Sequence, residues 1–304
     1  MDHILVIGST VVDVLLHVPR LPLRGEDVNI TSLDCRLGGC AYNVHRALRV
    51  FNIPAWLCSP VGTGTYGRMV REQFEAEGII PFVSLEEENG CCYCLIEEDG
   101  ERTFLSHHGA EYRFDRSWMS RVDFSAVDSV FICGIDVEDP TGSEIVEFVF
   151  EYPRLDLYFA PGPRIMDLAK DRMKKLLNRR PFLHLNETEA LSFSGTDTVP
   201  GAAEFFAART GNSLVITLGE RGCYYRAAGQ GGTGCSQGYV PGCFAGTIRN
   251  TLGAGDAHCG ALIAALKLGK NLRDACEIAN KAGAAAVSGF SGEFTAPSCS
   301  SAAG

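Results

Sequence analysis

Asn250-Thr251-Leu252-Gly253-Ala254-Gly255-Asp256-Ala257-His258-Cys259-Gly260-Ala261-Leu262-Ile263 runs from small residues into an acid, and an apolar segment, Ala261 to Leu268, follows at once. A loop opening a buried helix is written this way. Gly253 and Gly255 remove the Cβ atoms that would hold a ligand off the backbone. The first N–H groups of a helix have no partner inside it, and the helix dipole adds partial positive charge there, so a phosphate fits. Asp256 does not suit a loop that merely binds phosphate, because a bare carboxylate repels the ligand. It suits a loop where a carboxylate takes a proton from a hydroxyl as that hydroxyl attacks phosphorus. The plain alternative is an Asp that caps a helix. The run is not a Walker loop, because no G-K-[ST] follows the glycines.

Outward from this stretch, the chain alternates short apolar runs with helical patterns, the rhythm of a doubly wound α/β sheet. Ile4-Leu5-Val6-Ile7-Gly8, Trp56-Leu57-Cys58, Ser129 to Cys133, Leu157 to Ala160 and Phe182 to Leu185 read as buried strands. Gly38-Gly39 opens a helix in which Val44, Ala47, Leu48 and Phe51 keep helical spacing, with Asn43 near its first turn. Pro60-Val61-Gly62 leads to a helix expected around Tyr66 to Glu77, closed by Gly78, and further helices are expected from Gly142 to Tyr152 and from Asn271 to Val287. Leu21 to Leu37 reads as irregular strand and turn. Asp99-Gly100 between two strand-like runs signals a hairpin. With residues near 11–17 and 26–37, the segment 90–109 makes a small separate β-layer, or else a decoration of the main sheet. Asp13 is a charge inside the apolar run Val11 to Leu15, costly unless paired or used, or an exposed edge position. Asp136 and Arg164 follow strand ends, where open α/β sheets bind ligands; each is also a plain solvated loop charge. Asn186-Glu187-Thr188-Glu189 is a plausible helix start with acids in its first turn. Gly229 to Gly238 reads as a glycine-rich excursion.

The 304 residues allow one large α/β domain or two small ones, and a single domain over 1–304 is expected. A net charge of −10 argues against nucleic acid as the main partner, which wants a basic face. No apolar run is long enough to span a bilayer, and the start has no basic region before its first strand, so neither a membrane span nor a signal peptide is expected. The 13 cysteines form no paired C-x-x-C array and the histidines no zinc spacing. The odd count fits reduced thiols and a cytoplasmic location. The histidines are expected to be ordinary surface or packed side chains.

The run N-T-x-G-A-G-D-x-x-x-G-A at 250–261 resembles the signature of the ribokinase-like (PfkB) carbohydrate kinase family. Asp13, G-G-x-x-x-N at 38–43, N-x-x-E at 186–189 and T-L-G-x-x-G at 217–222 resemble its other motifs in the same order, from about Ile4 to Pro297. The resemblance implies an α/β/α sandwich with a β-sheet lid over the sugar. It implies transfer of the γ-phosphoryl group of ATP to a sugar hydroxyl, with Asp256 as base and the amides of Gly253, Ala254 and Gly255 as anion hole. Asp13, Gly38, Gly39, Asn43, Asp136 and Arg164 would hold the sugar. Asn186, Thr217, Gly219 and Gly222 would hold ATP, and Glu189 a Mg²⁺ ion through water. A homodimer through the lid edges is consistent with an exposed β-edge.

Several positions depart from ribokinase. Cys40 stands for a Lys, Asn250 for an Asp, Leu252 for a Thr, and Ala160 for an acid found in many relatives. The missing carboxylate at 250 should weaken a monovalent cation such as K⁺, with Gly292 and Thr295 remaining candidates for that cation's loop. The chain stops soon after Pro297, where relatives add a last helix. A nucleoside kinase of the same family is the second reading and needs an aromatic slot, for which Tyr42 or Phe104 is available. A binding-only relative is the third, and the intact Asp256 argues against it. A dinucleotide oxidoreductase is not supported, since Gly8 lacks the G-x-G-x-x-G pattern.

Overall fold

The computed structural model describes residues 2–138, 140–229, 236–243 and 252–288. Asn250, Thr251, Gly292, Thr295, Pro297 and most of the glycine-rich stretch at 229–238 lie outside the described residues.

The chain begins with β1 (His3–Ile7), β2 (Val11–His17) and β3 (Ser32–Gly38), then α1 (Cys40–Val50). β4 (Ala55–Cys58), β5 (Pro60–Thr63), α2 (Gly64–Glu77) and β6 (Val83–Glu88) follow, then the hairpin of β7 (Cys91–Ile96) and β8 (Arg102–His107). The second half runs β9 (Val127–Cys133), α3 (Gly134–Glu138), α4 (Gly142–Glu151), β10 (Asp156–Ala160), α5 (Lys170–Asn178), β11 (Phe182–Asn186), α6 (Glu187–Ser194) and α7 (Val199–Thr210). It closes with β12 (Leu214–Thr217), β13 (Cys223–Arg226), β14 (Gln237–Val240), α8 (Ala254–Lys267) and α9 (Leu272–Val287).

Eight strands make the main sheet, in the order β14-β13-β12-β11-β10-β9-β1-β4. The six from β12 to β4 are parallel, and β13 and β14 add antiparallel to the edge. Parallel strands need crossovers, and helices supply them on both faces. β1 shows the consequence in its alternation. Ile4 and Val6 pack with Val44 and Leu48 of α1 and Ala261 and Ile263 of α8. Leu5 and Ile7 pack on the other face with Phe148 of α4, Leu176 of α5 and Phe206 of α7. Local chemistry sets the helix ends. Asn186 caps α6 in a capping box with Glu189, Thr198 caps α7, Asn271 caps α9, and Gly78 closes α2 in the left-handed conformation.

From β1 the chain passes to β4 on one side and returns to β9 on the other, so the strand order reverses between β1 and β9. Ligands of open α/β sheets bind outside the strand ends at such a point. A second sheet, β3-β2-β7-β8, is built from residues that follow β1 directly and from the Asp99-Gly100 hairpin.

Two elements differ from the sequence reading. Pro60–Thr63 is a strand, paired in parallel with Val83–Glu88, which carried no strand signal. The second strand is acidic over half its length; its pairing is fixed from outside by Asn89, whose Oδ1 accepts from the Gly62 amide at 2.6 Å. Within the stretch read as irregular, Ser32–Gly38 forms a regular edge strand of the small sheet, paired with β2 from Val11 to His17.

Candidate active site

Gly253 starts α8 with φ 70°, a backbone shape that an L side chain resists. A Cβ there would also meet Asn43 Nδ2 at 3.1 Å. Among the described residues no side chain caps this helix, and the first bond inside it runs from the Ala257 amide to the Gly253 carbonyl. The amides of Ala254 and Gly255 therefore have no intrahelical acceptor. Asp256 follows in the same turn.

Asp256 and Asn43 lie 213 residues apart, and Asn43 Nδ2 donates to Asp256 Oδ2 at 2.9 Å. α1 delivers Asn43 because Gly39, at φ 97°, turns the chain from β3 into the helix. Burial raises the Asp256 carboxyl above the usual carboxylate range, against the hydrogen bonds from Asn43 and the Cys40 thiol that lower it. Asp13 faces the same space from β2. Burial, then the charge of Asp256, pushes it up to about 7. Gly38 leaves room for it, since a Cβ there would meet Asp13 Oδ2 at 2.0 Å.

These groups line one cavity of about 490 Å³, with Asp13, Gly38, Gly39, Asn43, Gly253 and Asp256 all on its wall. Ser9, Cys40, Cys92, Ser106 and Tyr112 also line it. Of these only Cys40 stood out in the sequence. Cys92 and Ser106 come from β7 and β8, whose hairpin Asp99-Gly100 signals; the pairing of β7 with Asp13 of β2 is the one that no local pattern announces. Asp136 stands behind the wall. Its Oδ1 accepts from the Ser9 amide at 2.9 Å and its Oδ2 from the Cys133 thiol at 2.9 Å, tying the ends of β1 and β9 together. Burial raises it to about 6. Arg164 is outside the cavity wall, with Nε 3.2 Å from Glu138. Tyr42 is buried and donates to Glu77 at 2.6 Å, away from the cavity. Phe104 shares the Asp13 face of the lid and is half-exposed.

The nucleotide-side candidates cluster at neighbouring strand ends. Asn186 of β11 and Thr217 of β12 are register partners, and Gly219 and Gly222 follow β12. Beyond Gly219 the space is open, while a Cβ at Gly222 would meet Val240 O at 2.1 Å, so Gly222 packs the turn. Glu189 is buried, and its two oxygens accept from the Asn186 amide at 3.0 Å and Nδ2 at 2.6 Å. Each oxygen keeps a lone pair, which fits a water of a hydrated Mg²⁺ better than direct coordination. Among the described residues no group of three or more His, Cys, Asp and Glu is arranged to hold a metal.

Two of the packed histidines join a buried polar chain. His184 Nε2 lies 2.9 Å from His258 Nδ1, and His258 Nε2 lies 3.1 Å from Asn280 Oδ1, all buried. This chain ties β11 to α8 two residues beyond Asp256.

The architecture is that of ribokinase-like α/β proteins. Over 97% of this chain and 96% of its own length, the solved structure of ribokinase from Giardia lamblia superposes with a TM-score of 0.82 at 21% identity. The pfkB family carbohydrate kinase model matches residues 1–299, and the chain belongs to that family of ATP-dependent carbohydrate kinases. It is 32% identical over 305 residues to the uncharacterized sugar kinase YegV of Escherichia coli (strain K12), covering 97% of this chain and 91% of that protein. To ribokinase of Bacillus subtilis (strain 168) it is 24% identical over 302 residues, covering 98% and 97%. No described helix is long and apolar enough to cross a membrane.

Proposed function

We propose that Asp256 is the base of this kinase and that the opening of α8 is its anion hole. The observation that carries the reading is the Asn43–Asp256 hydrogen bond beside an uncapped helix start. Asn43 holds the Asp256 carboxylate in place through Oδ2. The attacking hydroxyl gives that proton to Asp256 as its oxygen bonds to the γ-phosphorus of ATP, and ADP leaves. The amides of Gly253, Ala254 and Gly255 stabilise the charge on the transferring group. Asp13, Gly38, Gly39 and Asn43 hold the sugar, with Asp13 accepting from hydroxyls when ionised. Asp136 acts behind Ser9, and Arg164 closes the far loop.

ATP lies along Asn186, Thr217, Gly219 and Gly222. Mg²⁺ supplies charge neutralisation on the phosphates, with Glu189 reaching it through water. The lid sheet closes over the sugar and excludes water, which otherwise competes as acceptor. Two copies pair through the lid edges. The nucleoside reading loses one of its supports, because Tyr42 is turned into the core.

The test is ADP release from MgATP against neutral sugars, sugar acids and nucleosides, with and without K⁺. Strong release with one sugar class supports the reading. Silence across the panel from folded protein that binds ATP would sink it.

A further inference from the structure

The lid carries one row of side chains straight across its four strands. Arg36 of β3 is the register partner of Asp13, Asp13 of Cys92, and Cys92 of Ser106. Register partners point to the same face of a sheet, and all four line the cavity that holds Asp256. Cys92 and Ser106 are neutral, so Arg36 is the cation of this row.

Its guanidinium is held at one end only. Arg36 Nε donates to Asp34 Oδ2 at 2.6 Å, on the same face two residues back. Asp34 is itself fixed, its Oδ1 accepting from the Cys35 amide at 2.9 Å. The two terminal nitrogens of Arg36 make no hydrogen bond among the described residues, and they are the pair of donors that two oxygens of a carboxylate or a phosphate take side by side. The pairing with Asp34 is exposed and worth little on its own, with 61% of the Arg36 side chain accessible.

Two acids and a second cation share the cavity with it: Arg46 of α1 lies on the wall over the Tyr42 ring. Asp13 and Asp256 both face the cavity, and burial holds each carboxyl above the usual range. A neutral sugar needs acceptors for its hydroxyls and has no use for an open guanidinium fork one strand away. Neighbouring strands are about 4.8 Å apart, so a hydroxyl on Asp13 and an anion on Arg36 belong to one small molecule.

We infer that Arg36 selects a sugar carrying an anionic group, a carboxylate or a phosphate, remote from the hydroxyl that Asp256 activates. This rests on the kinase reading above and names its substrate class. The sugar's hydroxyls lie on Asp13 and Asn43, the reacting hydroxyl at Asp256, and the anionic end against the Arg36 fork under the edge strand.

The experiment measures kcat/KM with MgATP for matched sets of substrates: neutral hexoses and pentoses, hexonates and 2-keto-3-deoxyhexonates, and hexose 6-phosphates. Wild-type enzyme is expected to favour one anionic set over its neutral counterpart by at least about 10-fold. Preference for the acids or for the phosphates tells the two anions apart. Arg36→Gln should lower the anionic-to-neutral ratio by about 10- to 100-fold, carried by KM, and Arg36→Lys by less, because it keeps the charge without the fork. Rising salt should raise KM for the anionic substrate in wild type and hardly in Arg36→Gln. A wild-type preference for neutral sugars overturns this inference and leaves the kinase reading standing. So does an equal loss on both sets in Arg36→Gln. No ADP release with any sugar overturns both.

Discussion

Asp13 and Asp256 share one cavity, and neither is at ease there as an anion. Burial and the charge of Asp256 hold the Asp13 carboxyl near 7, against an unfolded value near 3.8. The folded chain therefore binds an extra proton between those two values. Stability from this group is complete below the unfolded value and is lost as pH rises through about 7. Asp13→Asn should accordingly be more stable than wild type at pH above 7, by on the order of 2 kcal/mol in urea unfolding. The same variant should lose at least about 10-fold in kcat/KM for the sugar, because a charged acceptor becomes a neutral amide. A variant less stable than wild type in that range would show that Asp13 is a structural acid. Asp256→Asn removes the proposed base and should cut kcat by about 10²- to 10⁴-fold while ATP binding, read by calorimetry, stays within about threefold. Both acids were legible in the sequence, one inside an apolar run and one after small residues. Asp136 and Arg164 were candidates because each follows a strand, and each was equally readable as a solvated loop charge. What separated them was the partner each meets in space: the Ser9 amide and Cys133 thiol for Asp136, and Glu138 for Arg164.

At the scale of elements, α8 is held in place by a buried polar chain. Asn280 Nδ2 donates to the carbonyls of Val240 and Pro241, at 3.3 and 2.9 Å, so its Oδ1 faces His258. His258 Nε2–H then donates to that oxygen, and one proton lies in the His184–His258 bond. Burial, then His258, holds His184 well below the usual histidine range, and burial lowers His45 to about 4. For a histidine lowered on folding, stability is complete above the unfolded value near 6.5 and falls as pH drops below it, because the unfolded chain takes the proton first. Asp13 and Asp136, both raised on folding, gain stability over the same window, so the histidine effect is read as a difference between variants. From pH 7.5 to 5.5 wild type should lose about 1 to 1.5 kcal/mol more unfolding free energy than His45→Gln. Parallel profiles for the two would mean that His45 is not held neutral. The strands of the main sheet were legible because each is a continuous apolar run, and the caps because Asn, Thr and Gly sit where helices end. The His184–His258–Asn280 chain was not, since it joins β11, α8 and α9 across 74 and 22 residues. Nor was β6, whose acidic sequence is shaped by its neighbours.

The whole molecule places its small sheet over the switch point of the large one, and that sheet has two faces with different work. One presents Arg36, Asp13, Cys92 and Ser106 to the cavity. The other packs Val12 and Val14 into the core that includes Phe74 of α2, but farther out it leaves Leu33, Tyr93 and Leu105 accessible at 61%, 36% and 58%. The strands at its ends, β3 and β8, have no further neighbour among the described residues. Unpaired edges beside accessible apolar side chains are surfaces that chains cover by pairing with another copy. A second molecule laid across this outer face covers both. In sedimentation velocity at micromolar concentration the protein should therefore run at about twice its 32.8 kDa mass. Leu105→Glu should shift it to monomer, since a buried charge at a symmetric contact is met twice. Because the outer face and the cavity row belong to the same strands, the monomer should also bind sugar more weakly, with KM raised more than kcat is lowered. A wild-type protein that sediments as monomer, or a Leu105→Glu dimer, would place the contact elsewhere and leave the lid to close alone.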